Sequence, residues 1–212
     1  MKKINLIFVL KLIHLKVTFL GTGTSQGIPV IGSDHPVCLS TNSKDKRLRV
    51  SILVEWDNYS YVVDCGPDFR YQMLRAKCKK VDGILFTHEH ADHVAGLDDI
   101  RPFCFKQGPL PIYAHQRVIN NFHERFGYIF ETENRYPGSP SVKTYQIDDN
   151  SFLLGNLKVI PINVYQKKTI SLHLPCNERL TKGQHIKMQY IYCKRQDQQK
   201  FLPKHNKLVF YR

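Results

Sequence analysis

The sequence predicts a layered α/β fold, and three observations support this class. The chain has 212 residues, which suits one domain with a substantial core. Its 42% hydrophobic and 23% charged residues are typical of a globular protein and exclude disorder throughout. Short β-rich segments alternate with segments of helical period over most of the chain, as expected for strands and helices packed in layers.

The first predicted elements are a strand, a glycine loop and a hairpin. Residues 15–20 alternate between apolar and polar side chains and lead into the glycine-rich segment 21–27, so the domain begins with this strand. Residues 50–55 and 59–63 are rich in β-forming residues and flank the turn sequence 56–58. This pair predicts an antiparallel hairpin.

Helices and strands alternate through the rest of the domain. The predicted helices span residues 69–77, 95–105 and 117–126, and the predicted strands span residues 81–86, 110–114, 143–147 and 157–164. The segment 81–86 is short and largely apolar, which is typical of a buried strand. Strands mixed with helices in this way indicate helices outside the sheet.

The chain changes character after residue 164, and we divide it there. Residues 1–164 hold 20 Lys and Arg against 16 Asp and Glu, whereas residues 165–212 hold 11 against 2. We therefore expect an N-terminal extension at 1–14, a domain at 15–164 and a divergent basic segment at 165–212. A charge run without a recognisable binding module is usually solvated surface.

The cysteines and the N-terminus bear on the compartment. None of the six cysteines forms a C-x-x-C pair, which favours reduced thiols over a disulfide scaffold. The apolar run 4–10 is interrupted by Lys11 and lacks a small-x-small cleavage site, so it does not match a secretory signal. No segment approaches the ~20 apolar residues of a membrane helix. We expect a cytoplasmic protein without a membrane partner.

Three imidazoles and two carboxylates fall within the seven residues 87–93. In an extended backbone His88 and His90 project to the same side, because side chains alternate, so both can reach one metal ion. The following turn places Asp92 and His93 near a second metal. Zinc, manganese and iron all accept imidazole nitrogen and carboxylate oxygen. The alternative is a polar loop with surface histidines, but the number and spacing of ligands favour a metal site.

Two metal ions held close together activate a bridging water and stabilise charge on a phosphoryl or acyl oxygen, which predicts a hydrolase. Two competing motifs fail. The zinc-protease signature H-E-x-x-H would need histidine at position 92, which is aspartate. The glycine segment 21–27 lacks the G-x-G-x-x-G spacing of a dinucleotide site.

The motif His88-x-His90-x-Asp92-His93 follows a buried strand, with Val62-Val63-Asp64-Cys65-Gly66 and Phe19-Leu20-Gly21-Thr22-Gly23 upstream. This combination resembles the metallo-β-lactamase superfamily. The segment 21–30 resembles the branch that contains the phosphoribosyl cyclic phosphodiesterase of phosphonate breakdown, a relative of the tRNA 3′-processing nucleases. The resemblance covers about residues 15–164 and implies an αββα sandwich.

By this resemblance the site holds two divalent metal ions, zinc first, with manganese or iron as alternatives. His88 and His90 bind one metal ion, Asp92 and His93 help to bind the other, and Asp92 is the catalytic residue. The resemblance also implies that Asp64 supports the site from behind a ligand, where a carboxylate would orient an imidazole. The alternative for Asp64 is an ordinary turn residue at the end of a strand.

The C-terminal part of the family pattern is not found. The family completes its site with a histidine after a later strand, a bridging aspartate and a final histidine, whereas this chain reads Tyr165-Gln166-Lys167 at the first of these positions. The remaining candidates, His173, His185 and His205, lack a strand-end context. We therefore expect a sandwich that is incomplete in its C-terminal half. Our hypothesis for this change is a shifted or truncated reading frame, which resequencing the coding DNA would test.

The sequence leaves the roles of two further histidines undecided. His35, with Cys38, lies in the loop where the family's cyclic phosphodiesterases can carry a structural zinc, but four good ligands are not visible, so we expect no complete site there. His115, which follows a short predicted strand, either lines the active cleft or caps that cleft.

The leading functional prediction is a metal-dependent hydrolase acting on a small phosphodiester such as a cyclic phosphate. One alternative is an inactive truncated remnant or binding protein that keeps part of the fold. Another is an RNA-binding or RNA-processing protein that uses the basic segment and its aromatic residues Tyr190, Tyr192 and Phe201.

Overall fold

The computed structural model describes residues 15–131, 133, 135–164, 169–174 and 186–187. Its strands are β1 (Lys16–Gly21), β2 (Ser51–Trp56), β3 (Tyr59–Val63), β4 (Gly83–Leu85), β5 (Leu110–Ala114), β6 (Val142–Gln146), β7 (Phe152–Leu154), β8 (Leu157–Val164), β9 (Thr169–Leu174) and β10 (Ile186–Lys187). Its helices are α1 (Pro36–Leu39), α2 (Phe69–Ala76), α3 (Ala91–Val94), α4 (Arg101–Gln107), α5 (Gln116–Arg125) and α6 (Gly127–Phe130). Short 3₁₀ turns occur at Ser43–Asp45 and Leu97–Ile100.

Six strands form the first sheet, in the order β1-β2-β3-β4-β5-β6. The pairs β1–β2 and β2–β3 are antiparallel, and β3 to β6 run parallel. Trp56 pairs with Tyr59 across a two-residue turn in which Asp57 has a φ of 46°. The predicted hairpin is thus confirmed. Because β3, β4 and β5 are parallel, their carboxyl ends share one edge of the sheet, where polar loops of α/β proteins gather.

The second sheet is antiparallel, in the order β10-β9-β8-β7. Strand β9 lies in the segment 165–212, for which the sequence analysis predicted no strand. Its alternating Ile170, Leu172 and Leu174 are the period-2 signal that marks it. The strand at β8 has the bounds that were predicted.

The core consists of two hydrophobic clusters on opposite faces of the first sheet. On one face, buried residues of the helices, such as Phe69, Phe103 and Phe122, pack against sheet residues such as Ile84. On the other face, residues of the first sheet pack against β7 and β8, including Trp56, Tyr61, Leu154, Leu157 and Val159. Central strands covered on both faces read as continuous apolar runs, which explains the pattern of β4. The layered α/β class is confirmed.

The helix predicted at 95–105 is divided in the structure. Over these residues the chain forms the 3₁₀ turn Leu97–Ile100 and then α4, with proline in its first turn. Proline is favoured in the first turn of a helix and disfavoured in its interior, so Pro102 sets this start and excludes one continuous helix. No helix among the described residues has the length and apolarity that crossing a bilayer requires.

Several sequence predictions concern residues outside those described. They are the extension 1–14, the sequence Tyr165-Gln166-Lys167, the histidines His185 and His205, and the aromatic residues Tyr190, Tyr192 and Phe201. For His173 only the backbone position, in β9, is described.

The single tryptophan of the chain reports on the contact between the two sheets. Buried Trp56 donates a hydrogen bond from Nε1 to Oδ1 of Asn156, 2.8 Å away, in the turn between β7 and β8. We expect Asn156→Ala to lower the free energy of unfolding by about 1 kcal/mol, because the indole N–H loses its acceptor. Urea denaturation followed by tryptophan emission measures this. Asn120→Ala, which removes an exposed amide contact to Gln116, is the matched control.

Candidate metal centre

The histidine-rich segment begins where β4 ends, at the shared edge of the parallel strands. Phe86 continues from β4 by donating its N–H to the carbonyl of Tyr113, at 2.8 Å. His90 is the N-cap residue of α3, so Asp92 and His93 lie in a helical turn. His93 is buried, whereas His90 is exposed. The predicted extended segment followed by a turn is therefore an extended loop followed by a short helix.

The loop and the helix bring the three histidine rings together. The ring centroids of His88 and His90 are 4.6 Å apart, and those of His88 and His93 are 4.0 Å apart. Asp92 joins the cluster through Oδ2, which lies 3.2 Å from Nε2 of His93. All four residues that the sequence assigned to metal binding thus form one cluster.

Asp64 lies behind this cluster, at the end of β3, with its side chain fully buried. Its Oδ2 is 2.7 Å from Nδ1 of His93, and its Oδ1 accepts the N–H of Thr87 at 2.8 Å. Its φ of 62° is left-handed, a conformation that aspartate adopts more readily than most residues. Asp64 is therefore both a strand-ending turn residue and the carboxylate that contacts His93.

Thr87 extends this network and had no role in the sequence analysis. Its Oγ1 is 2.8 Å from Oδ2 of Asp64 and 3.0 Å from Nδ1 of His88. One hydroxyl therefore links the buried carboxylate to a second histidine of the cluster. Its position directly before His88, at the end of a buried strand, was the only signal that the sequence offered.

His93 lies between two carboxylates. Burial by itself lowers the pKa of an imidazole, but the charges and hydrogen bonds of Asp64 and Asp92 outweigh it and raise the pKa of His93 to about 10. The pKa of Asp92 is lowered: burial opposes this shift, but the hydrogen bond and the charge of His93 prevail.

The pKa of His88 shifts in the opposite direction from that of His93. Burial and the neighbouring charge of His93 lower the pKa of His88 to about 4. Its ring is therefore neutral near pH 7. A neutral imidazole is the form that binds metal ions.

The donor set suits a divalent metal ion, because it combines imidazole nitrogens with carboxylate oxygens. Within the described part of the chain, however, no three His, Cys, Asp or Glu side chains converge on one point as ligands. Oδ2 of Asp92 lies 3.2 Å from Nε2 of His93. A cation bound here has to displace the proton of His93.

The other two candidate histidines have capping roles. His115 is the N-cap of α5, and its Nδ1 accepts the N–H of Arg117 at 3.2 Å. His35 caps α1 in the same way, accepting the N–H of Val37 at 3.2 Å. Cys38 accepts the N–H of Val30 at 3.4 Å. The contact of His115 with Arg117 is that of a helix cap, a role that the sequence analysis did not consider.

The glycine segment 21–27 packs closely on the chain before β2. Gly23 donates its N–H to the carbonyl of Leu48 at 2.6 Å, and a Cβ on Gly23 would lie 2.6 Å from the carbonyl oxygen of Arg47. Only glycine fits such an approach of two backbones. Close packing of the backbone therefore explains why position 23 is glycine.

Comparison with known proteins places these features among relatives. Residues 59–189 match the family model described as the beta-lactamase superfamily domain, a match that extends past residue 164. The chain is 40% identical over 152 residues to an octanoyltransferase of Porphyromonas gingivalis, covering 71% of this chain and 30% of that protein. It is 30% identical over 118 residues to a ribonuclease Z of Methanococcus maripaludis, covering 53% of this chain and 33% of that protein.

Solved structures show the same likeness. A diphosphatase of the PhnP family aligns with a TM-score of 0.70 and 32% identity, covering 81% of this chain and 64% of that one. Zinc-bound PqqB of Methylobacterium extorquens aligns with a TM-score of 0.59 and 17% identity, covering 76% of this chain and 62% of that one, which shows a shared fold. The chain spans about a third of the length of the octanoyltransferase and of the ribonuclease Z.

Proposed function

Because the chain belongs to the metallo-β-lactamase superfamily, we propose that it is a metal-dependent hydrolase of phosphodiesters. The observation that carries this proposal is the buried contact of Asp64 with His93, behind a cluster that also holds His88, His90 and Asp92. A carboxylate that orients a ligating imidazole is a recurrent feature of metal sites.

Each residue has a proposed role. His88 and His90 hold one divalent cation, and Asp92 and His93 help to hold a second, zinc being the first choice and manganese or iron the alternatives. Asp64 orients the ring of His93 through Nδ1. Cations held by these residues would supply an activated water and stabilise the charge that develops on a phosphoryl oxygen. Asp92 is the proposed catalytic residue.

The proposed substrate is a small phosphodiester, including a cyclic phosphate. The relatives named diphosphatase and ribonuclease support it, because both names describe cleavage at phosphorus. The octanoyltransferase relative does not support this substrate, because its name describes acyl transfer and not cleavage at phosphorus.

Elemental analysis of the purified chain, together with hydrolysis of bis-(p-nitrophenyl) phosphate, tests the proposal. We expect about two metal ions per chain and turnover that His88→Ala lowers at least about 100-fold, because the cation loses a ligand. His123→Ala is the matched control, since His123 is exposed and stacks on Phe130. Equal turnover in wild type and His88→Ala would contradict the proposal.

A second candidate function is metal or ligand binding without turnover. It is favoured by the absence, among the described residues, of three side chains converging on one point. One metal ion or none per chain and no turnover would support this candidate over the hydrolase.

The ribonuclease Z relatives favour a test with RNA as well. If the basic segment 165–212 contacts RNA, a salt-sensitive affinity for RNA is lost when this segment is deleted. Equal binding by the intact and shortened chains would exclude that role.

A further inference from the structure

Helix α5 contacts the loop that carries His88 and His90, and Glu89 is the residue it contacts. Nη2 of Arg117 lies 3.0 Å from Oε2 of Glu89. Nη1 of Arg125, two turns further along α5, donates to the backbone carbonyl of Glu89 at 3.0 Å. One arginine therefore contacts the side chain of Glu89 and the other its backbone, directly between two histidines of the cluster.

The ion pair between Arg117 and Glu89 is partly exposed to water. The side chain of Glu89 is 25% exposed and that of Arg117 is 39% exposed. A fully exposed ion pair contributes little to stability. Partial burial and the planar guanidinium of arginine make this contact more directional.

The loop depends on such side-chain contacts. Backbone hydrogen bonds flank it, from Phe86 to Tyr113 and from His93 to His90. Between these points Thr87 is bound to Asp64, at the end of β3. Arg117 and Arg125 contact Glu89 from α5, so side chains from two different elements hold the loop.

A neighbouring contact reinforces the same attachment. The hydroxyl of Tyr128 in α6 donates to Oδ2 of Asp98 at 2.7 Å, in the 3₁₀ turn that follows α3. The segment containing α5 and α6 therefore contacts the chain both within and after the residues proposed to bind metal.

We propose that Arg117 and Arg125 are positioning residues that act through Glu89 to hold His88 and His90 in the geometry that binds a metal ion. This inference rests on the proposed function, because it assumes that the cluster binds a cation. Residues that orient ligands from outside the coordination sphere commonly change metal affinity by 10- to 100-fold.

Cobalt titration of the metal-free full-length chain tests the inference without any assay of activity. We expect Arg117→Gln and Arg125→Gln each to weaken Co²⁺ binding by about 10-fold and to alter the visible Co²⁺ spectrum. The matched control is Arg70→Gln, because Arg70 is exposed on α2. It is expected to bind Co²⁺ as the wild type does.

A double-mutant cycle separates the two arginines. Arg117 acts through the side chain of Glu89, so the effects of Arg117→Gln and Glu89→Gln on Co²⁺ affinity should be non-additive. Arg125 contacts the backbone carbonyl, so its effect should persist in the Glu89→Gln background. Amide hydrogen exchange of residues 87–90 in the metal-free protein should be faster in both arginine variants than in Arg70→Gln.

The possible results distinguish a failure of the positioning role from a failure of the proposed function. If the wild type binds no Co²⁺, the proposed function fails. If the wild type binds Co²⁺ and both arginine variants match it in affinity, spectrum and exchange, the positioning role is overturned. Arg117→Lys keeps the charge without the planar fork, so it provides the same comparison, with a smaller expected loss, if Arg117→Gln does not fold.

Discussion

Asp64→Asn is expected to lower the free energy of unfolding by about 3 kcal/mol, because it breaks a buried charged pair by changing one partner. The carboxylate of Asp64 is fully buried and accepts from Thr87 and His93. An asparagine amide presents an N–H₂ group where one of these acceptors stood, so a buried donor faces another donor. Asparagine retains the left-handed backbone of position 64, so the change acts through the side chain.

Urea denaturation with linear extrapolation measures this effect. Asp34→Asn is the matched control, because Asp34 is exposed and surface substitutions usually stay within about 0.5 kcal/mol. If Asp64→Asn changes the free energy of unfolding by no more than this control, the buried contact with His93 does not stabilise the fold. Co²⁺ titration of the variant would then establish whether the contact serves metal binding alone.

Gly66→Ala is expected to lower the free energy of unfolding by about 3 kcal/mol, at the upper end of the cost of overpacking. A Cβ on Gly66 would collide with the backbone carbonyl of Asp92. The neighbouring backbone cannot move away easily, because the N–H of Cys65 donates to the carbonyl of His93 at 2.7 Å and the N–H of Gly96 donates to the carbonyl of Cys65 at 2.9 Å.

The same substitution is expected to disturb the candidate metal centre. The collision involves the backbone of Asp92, so any relief of it displaces α3 and the side chains it carries. Urea denaturation and Co²⁺ titration of Gly66→Ala measure the two effects. Gly127→Ala is the control, since a Cβ there meets nothing within 4 Å and alanine favours the helix. Equal stability of the two variants would contradict the close packing.

The fold was predictable where a segment carries its own periodicity. Strand β5 has the predicted bounds, and α2 and α5 differ from the predicted helices by a residue or so at each end. Prediction failed where local signals competed: the proline near the start of α4 divided one expected helix. In β9 the alternation of Ile170, Leu172 and Leu174 was present but hidden in a strongly polar segment.

In the candidate site, too, local patterns were predictable and distant contacts were not. The spacing of His88, His90, Asp92 and His93 predicted one cluster, and their side chains lie together. Asp64 was assigned a supporting role only by resemblance, because it lies 29 residues from His93 along the chain. No local pattern reports a contact over such a separation.

The sequence by itself determined the α/β class, the order of most strands and helices, and the chemical types of the ligands, because these follow from periodicity and from residue identity. The tertiary structure alone decided which carboxylate supports His93, that Thr87 links Asp64 to His88, and that α5 reaches Glu89 through Arg117 and Arg125. Apart from the contact of Thr87 with its neighbour His88, these contacts join residues far apart in the chain. No local sequence pattern reports them, because the fold brings these residues together where parallel strands end at one edge of the sheet.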